Sequence, residues 1–151
     1  MFNESTRQML QNMGIGLRVN RTAAALAGAE TAIFNVKGGA VLMTGFFGKI
    51  TVASGANATH LTHVPTTGTA IPLAANLDID PALVGDYLTI TGKGSDAMQY
   101  NASLVGLSMM GYKGVILSIG ALCYHATAAD GSASWAIFYI PLEDGSYVEV
   151  T

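Results

Sequence analysis

The side chains of this 151-residue sequence whose types could do chemistry are three histidines, a single cysteine and a pair of closely spaced aspartates. His60 and His63 form an H-x-x-H pair within the strand-like stretch His60-Leu61-Thr62-His63-Val64. Residues three apart on a strand point to opposite faces, which is poor geometry for one metal ion. His125 can join either of them only through tertiary folding. Asp78 and Asp80 flank Ile79, and a close carboxylate pair can hold calcium or serve glycoside hydrolysis. Further oxygen ligands are missing nearby, so these two are expected to face solvent or to cap a helical turn beginning at Pro81. Cys123 sits in Ala121-Leu122-Cys123-Tyr124, a core-like run with no basic residue to lower its pKa, and reads as a buried thiol. Gly92-Lys93-Gly94-Ser95 shares only part of the phosphate-loop spacing, and no long helix follows it. The sequence contains no G-x-S-x-G, H-E-x-x-H or C-x-x-C. The expectation is a protein that is not an enzyme, with no cofactor and no metal site.

The elements around these residues are expected to be β. Short β-rich runs separated by turn residues, from residue 31 onward, have the spacing of an antiparallel sandwich or jelly roll. Residues 33–36, 40–50, 60–64, 87–91, 114–118, 121–127, 134–140 and 147–150 read as strands. Lys37-Gly38-Gly39 and Asp130-Gly131 read as hairpin turns, and residues 114–118 and 121–127 as a pair joined near Ile119-Gly120. Between residues 71 and 86 the strand pattern lapses. Residues 97–111 are ambiguous, because glycines interrupt their apolar run. The expected fold is a single all-β domain over residues 31–151, an antiparallel β-sandwich of jelly-roll-like form, with an N-terminal arm and linker over residues 1–30.

Composition indicates what the surface is for. Half the residues are hydrophobic and 11% are charged, against about 25% in ordinary soluble proteins. A chain so poor in charge gives its surface to a membrane or to partners. Its apolar runs are too short to span a bilayer as helices, and its first residues lack the basic start and apolar run of a secretory signal. The basic residues are too few and too far from aromatics for a nucleic-acid interface. Charge is also unevenly spread: the first 21 residues carry +2, through Arg7, Arg18 and Arg21 against Glu4, and the remainder −5. A basic arm on an acidic body suggests an acidic partner or a neighbouring copy. In that arm Met9, Leu10 and Met13 share one face of a short helix capped by Ser5 or Thr6, and Ile15, Leu17 and Val19 alternate with polar or small residues like an edge strand. Near the other end, residues 135–140 are apolar on both faces. Trp135, Ile137 and Tyr139 lie on one side, so the strand is expected to be covered twice. Either it is a central core strand capped by the arm or a loop or, the reading the low charge favours, its outer face packs on another subunit. The candidate partner-binding residues are therefore Arg7, Met9, Leu10, Met13, Ile15, Leu17, Arg18, Val19, Arg21, Trp135, Ile137 and Tyr139.

The segments His63-Val64-Pro65-Thr66-Thr67-Gly68-Thr69, Ala75-Asn76-Leu77-Asp78-Ile79 and Tyr87-Leu88-Thr89-Ile90-Thr91-Gly92, together with Gly131-Ser132-Ala133-Ser134-Trp135-Ala136-Ile137-Phe138-Tyr139-Ile140-Pro141-Leu142-Glu143-Asp144-Gly145, resemble the capsid decoration or cement proteins of tailed bacteriophages. The resemblance covers about two-thirds of the chain, and its motifs are turns and core strands. It implies a symmetric homo-oligomer, often a trimer, bound to the major capsid protein on the surface of a virion, with no catalytic residues. A second expectation, of another class, is a carbohydrate- or receptor-binding module such as a small fibre or lectin-like domain, with exposed Tyr100, Tyr112 or Tyr147 as sugar platforms.

Overall fold

The computed structural model describes residues 4–6, 9, 15–101, 107, 109 and 114–151. Among the described residues strand accounts for 58% and helix for 3%, and antiparallel sheets pack in two layers, so the protein is an all-β sandwich. In chain order the strands are β1 (Leu17–Ala25), β2 (Thr31–Lys37), β3 (Val41–Val52), β4 (Ala58–Pro65), β5 (Ile71–Asp78), β6 (Tyr87–Thr89), β7 (Gln99–Tyr100), β8 (Val115–Leu117), β9 (Gly120–Ala126), β10 (Ser132–Pro141) and β11 (Tyr147–Val150). One sheet has the order β1-β10-β3-β6-β7, with β8 also pairing β3. The other has the order β11-β2-β9-β4-β5.

The core lies where the inner faces meet. Period-two alternation sends Val41, Met43, Phe46 and Ile50 of β3 inward, opposite Phe34, Leu61, Leu122 and Tyr124 of the other sheet. The lone tryptophan, Trp135, stacks on Phe46 at 5.5 Å and meets Tyr124 across the sandwich at 4.7 Å. Its ring lies over Gly48, where a Cβ would stand 2.3 Å from it.

Three expected pairings are corrected. Lys37-Gly38-Gly39 does not close a hairpin, since β2 belongs to the five-stranded sheet and β3 to the six-stranded one. The same holds for Asp130-Gly131 between β9 and β10, and for Ile119-Gly120, because β8 pairs β3 while β9 pairs β2 and β4. In each case the turn residues reverse the chain as expected, but the two strands stack across the core instead of bonding edge to edge. Residues 71–78, expected to lack strand, form β5, which pairs β4 with two register shifts. These shifts put Leu73 and Ala74 inward in succession and blur the alternation. The helical turn expected after Asp80 is absent: Asp80–Pro81 is a cis peptide, and Ala82 bridges Ser54.

The period-two part of the arm forms an edge strand, on the chain's own sheet. β1 runs from Leu17 through Ala25, taking in residues expected to be linker, and pairs antiparallel with β10 of the same chain. Of the expected helix, Glu4–Thr6 and Met9 are helical, and its other positions lie outside the described residues. No helix among the described residues is long and apolar enough to cross a membrane.

Candidate functional site

The outer face of the six-stranded sheet is built from the residues that alternate with the core. Phe46, Ile137 and Leu88 point inward, so their neighbours Phe47, Phe138 and Tyr87 emerge on the opposite side, half-buried. Phe47 lies 6.3 Å from Phe138 and 5.8 Å from Tyr87 between ring centroids, making a continuous aromatic stripe across β10, β3 and β6. Cations border it. Register places Arg18 opposite Phe138, and its guanidinium carbon sits 5.5 Å from both the Phe47 and Phe138 centroids. Lys49 lies 5.9 Å from the Tyr87 centroid. The negative faces of the rings attract these charges, and Arg18 Nε is aimed by a hydrogen bond to Asn20 Oδ1 at 2.6 Å.

The apolar character continues along the sheet. A register shift near Thr44 lets Phe138 face Gly45, and the Met109 methyl would be 2.6 Å from a Cβ built there. Beyond it, Ile140, Leu42 and Ile116 are paired across β10, β3 and β8, and Ile116 is 67% exposed. The arm is steered onto this same face. Gly16, at φ +81°, has the Tyr139 carbonyl where any Cβ would stand, so only glycine passes there. The chain thereby crosses β10, and the Ile15 carbonyl accepts from Thr44 Oγ1 on β3 at 2.5 Å.

The expected partner-binding residues separate into groups. Arg18 lies on the stripe, while Ile15, 43% exposed, and Met9, 55% exposed, lead toward solvent. Leu17 and Val19 are half-buried against the core. Arg21 is turned to the edge of the sandwich, where Nη1 donates to the Ala32 carbonyl at 2.9 Å and ties β1 to the other sheet. Trp135, Ile137 and Tyr139 are corrected: at 4%, 0% and 4% exposure they fill the core and offer no surface. The outer face of their strand belongs to Phe138 and Ile140. Arg7, Leu10 and Met13 lie outside the described residues. Phe47, Phe138 and Tyr87 were visible in the sequence only as members of apolar runs, and the signal for them is the alternation itself once the core face is fixed.

The groups with chemical potential are held in structural roles. Asp78 Oδ1 accepts from the Asn57 amide at 3.0 Å. Asp86, 2% exposed, accepts from the Leu83 amide and from the Tyr100 hydroxyl at 2.5 Å. Burial, and then that carboxylate, pushes the Tyr100 phenol up to about 12. Tyr100 is thus committed to a bond within the chain, Tyr112 lies outside the described residues, and Tyr147 is 46% exposed on edge strand β11. Burial pushes the Cys123 thiol up to about 11, with Glu30 adding to the shift. His63 points into the core at 1% exposure and His60 points out, as their spacing requires. No family model, no curated protein and no solved structure matches this chain.

Proposed function

We propose that this chain is a structural protein that assembles with other protein through the outer face of the six-stranded sheet, and that it serves as a decoration subunit on a virion shell. The observation that carries the assembly reading is the stripe of Phe138, Phe47 and Tyr87, continued by the exposed Ile116 and bordered by Arg18 and Lys49. Aromatics with arginine at the centre of a patch are what protein interfaces concentrate. A standard interface covers about 800 Å² on each partner, roughly a tenth of the 7436 Å² this chain exposes. The charge-poor composition supports the same reading. The shell as partner, and a trimer as the assembled form, rest on the resemblance of the turn and strand segments.

Light scattering of the purified protein and cosedimentation with isolated shells test both parts. Wild-type protein is expected to be oligomeric and to pellet with shells, and Phe47→Glu combined with Phe138→Glu to lose at least about tenfold in affinity. Both side chains leave the core intact, so a folded variant that attaches at wild-type strength refutes the assignment of this face. A wild-type monomer that ignores shells refutes the reading as a whole. The arm is tested by deleting residues 1–14, because a cut after Arg21 would strip half of β1 from β10.

The same stripe favours one other reading. Flat aromatic faces beside Arg18 and Asn20 also suit the stacking and hydrogen bonding of a sugar ring, and binding on a glycan array, abolished by Phe47→Ala, would select a carbohydrate-binding module instead.

A further inference from the structure

The opposite outer face, on the five-stranded sheet, carries a feature independent of the aromatic stripe. The β4–β9 register sets His60 directly across from His125. Their imidazole rings stack with centroids 4.4 Å apart and planes 22° from parallel. We propose that His60 and His125 chelate a late first-row divalent cation, Cu2+, Ni2+ or Zn2+, through their Nε2 nitrogens.

The second sphere prepares the pair for this. Asn76 on β5 places Oδ1 2.7 Å from Nδ1 of His60. An amide oxygen only accepts, so the His60 proton is held on Nδ1 and the Nε2 lone pair is free. Hydrogen-bonding the remote ring nitrogen to fix the tautomer is how proteins orient histidine ligands. Nδ1 of His125 is buried without a hydrogen-bond partner, which leaves Nε2 as the nitrogen available from outside. Two nitrogens each about 2.1 Å from one ion can be at most about 4.2 Å apart. The two rings stand within reach of one ion, and rotation about χ1 and χ2 out of the stack turns both Nε2 lone pairs onto it. Both ligands stand on paired strands near the middle of the sheet, so the backbone is already in place and the metal has only side-chain torsions to fix.

Among the described residues there is no group of three or more metal-ligating side chains. The chelate is therefore bidentate and open, with water in its remaining positions, and its affinities should follow the order in which Cu2+ exceeds Ni2+ and Zn2+. The third histidine of the chain, His63, is sealed in the core and cannot compete.

Tag-free protein titrated with Cu2+ or Ni2+ in a calorimeter near neutral pH should bind one ion per chain. At a hundredfold excess over the dissociation constant its unfolding midpoint should rise by about 5–11 °C, and a chelator should reverse this. His60→Gln and His125→Gln should each weaken binding at least about tenfold, and Asn76→Ala about tenfold, with metal-free midpoints close to wild type. In the wild type, substoichiometric Cu2+ should broaden the His60 and His125 ring resonances and spare those of His63, a readout that needs no variant. Unchanged binding by the double variant, broadening at other sites first, or no binding at millimolar metal would overturn the proposal.

Discussion

Replacing Gly48 by alanine should loosen the centre of the sandwich. Gly48 pairs with Trp135 across β3 and β10, and an added Cβ would lie 2.3 Å and 2.6 Å from two carbons of the indole. The indole cannot swing aside, because Phe46 stacks on it and Tyr124 presses from the facing sheet. Overpacking of a dense core costs about 1–3 kcal/mol, and this contact belongs at the upper end of that range. Alanine gives back about 0.5–1 kcal/mol by restricting the unfolded chain in an ordinary strand conformation, leaving a net loss of about 2 kcal/mol. In a domain of this size that lowers the unfolding midpoint by about 4–8 °C. Circular dichroism measures the midpoint, and fluorescence reports on the site directly, since Trp135 is the only tryptophan. Its emission should move to the red. A variant with a midpoint within about 1 °C of wild type and unchanged emission would show that Trp135 does not rest on Gly48.

Three other outcomes follow from buried polar groups. His63 is held below its ordinary pKa of 6.5 by burial, despite an opposing backbone hydrogen bond. The unfolded chain therefore takes up this proton first as pH falls through about 6.5, so wild-type stability should drop on acidification below that point, and His63→Gln should flatten the slope in urea titrations at several pH values. Tyr100→Phe removes the hydroxyl that donates to buried Asp86 and should cost about 1.5–3 kcal/mol, read from the denaturation midpoint, while ultraviolet titration of the wild type should show one phenol ionising near 12. The Cys123 thiol, raised to about 11 and 6% exposed, should react with Ellman's reagent at least about a hundredfold more slowly in the native protein than in denaturant.

Much of this molecule was written locally. Short β-rich runs between turn residues marked β2, β3, β4, β9 and β10, period-two alternation marked the start of β1, and the strand spacing of His60 and His63 correctly sent them to opposite faces. Glycines marked real reversals of the chain at Gly38 and Gly131, both at positive φ. Scarcity of charge pointed to a surface with apolar ground on it. Local pattern could not say which strands would be neighbours. Three turns that reverse the chain carry it between sheets, since a turn fixes direction, while pairing depends on hydrogen bonds between segments far apart in sequence. For the same reason the doubly apolar strand at residues 135–140 was legible as buried, but not which of its faces was the core. That depended on Phe46 and Tyr124 meeting Trp135 from two other strands. The tertiary structure alone turned Phe47, Phe138 and Tyr87 into one stripe, bound the arm's β1 to its own body, and brought His125 across from His60, 65 positions away in the chain.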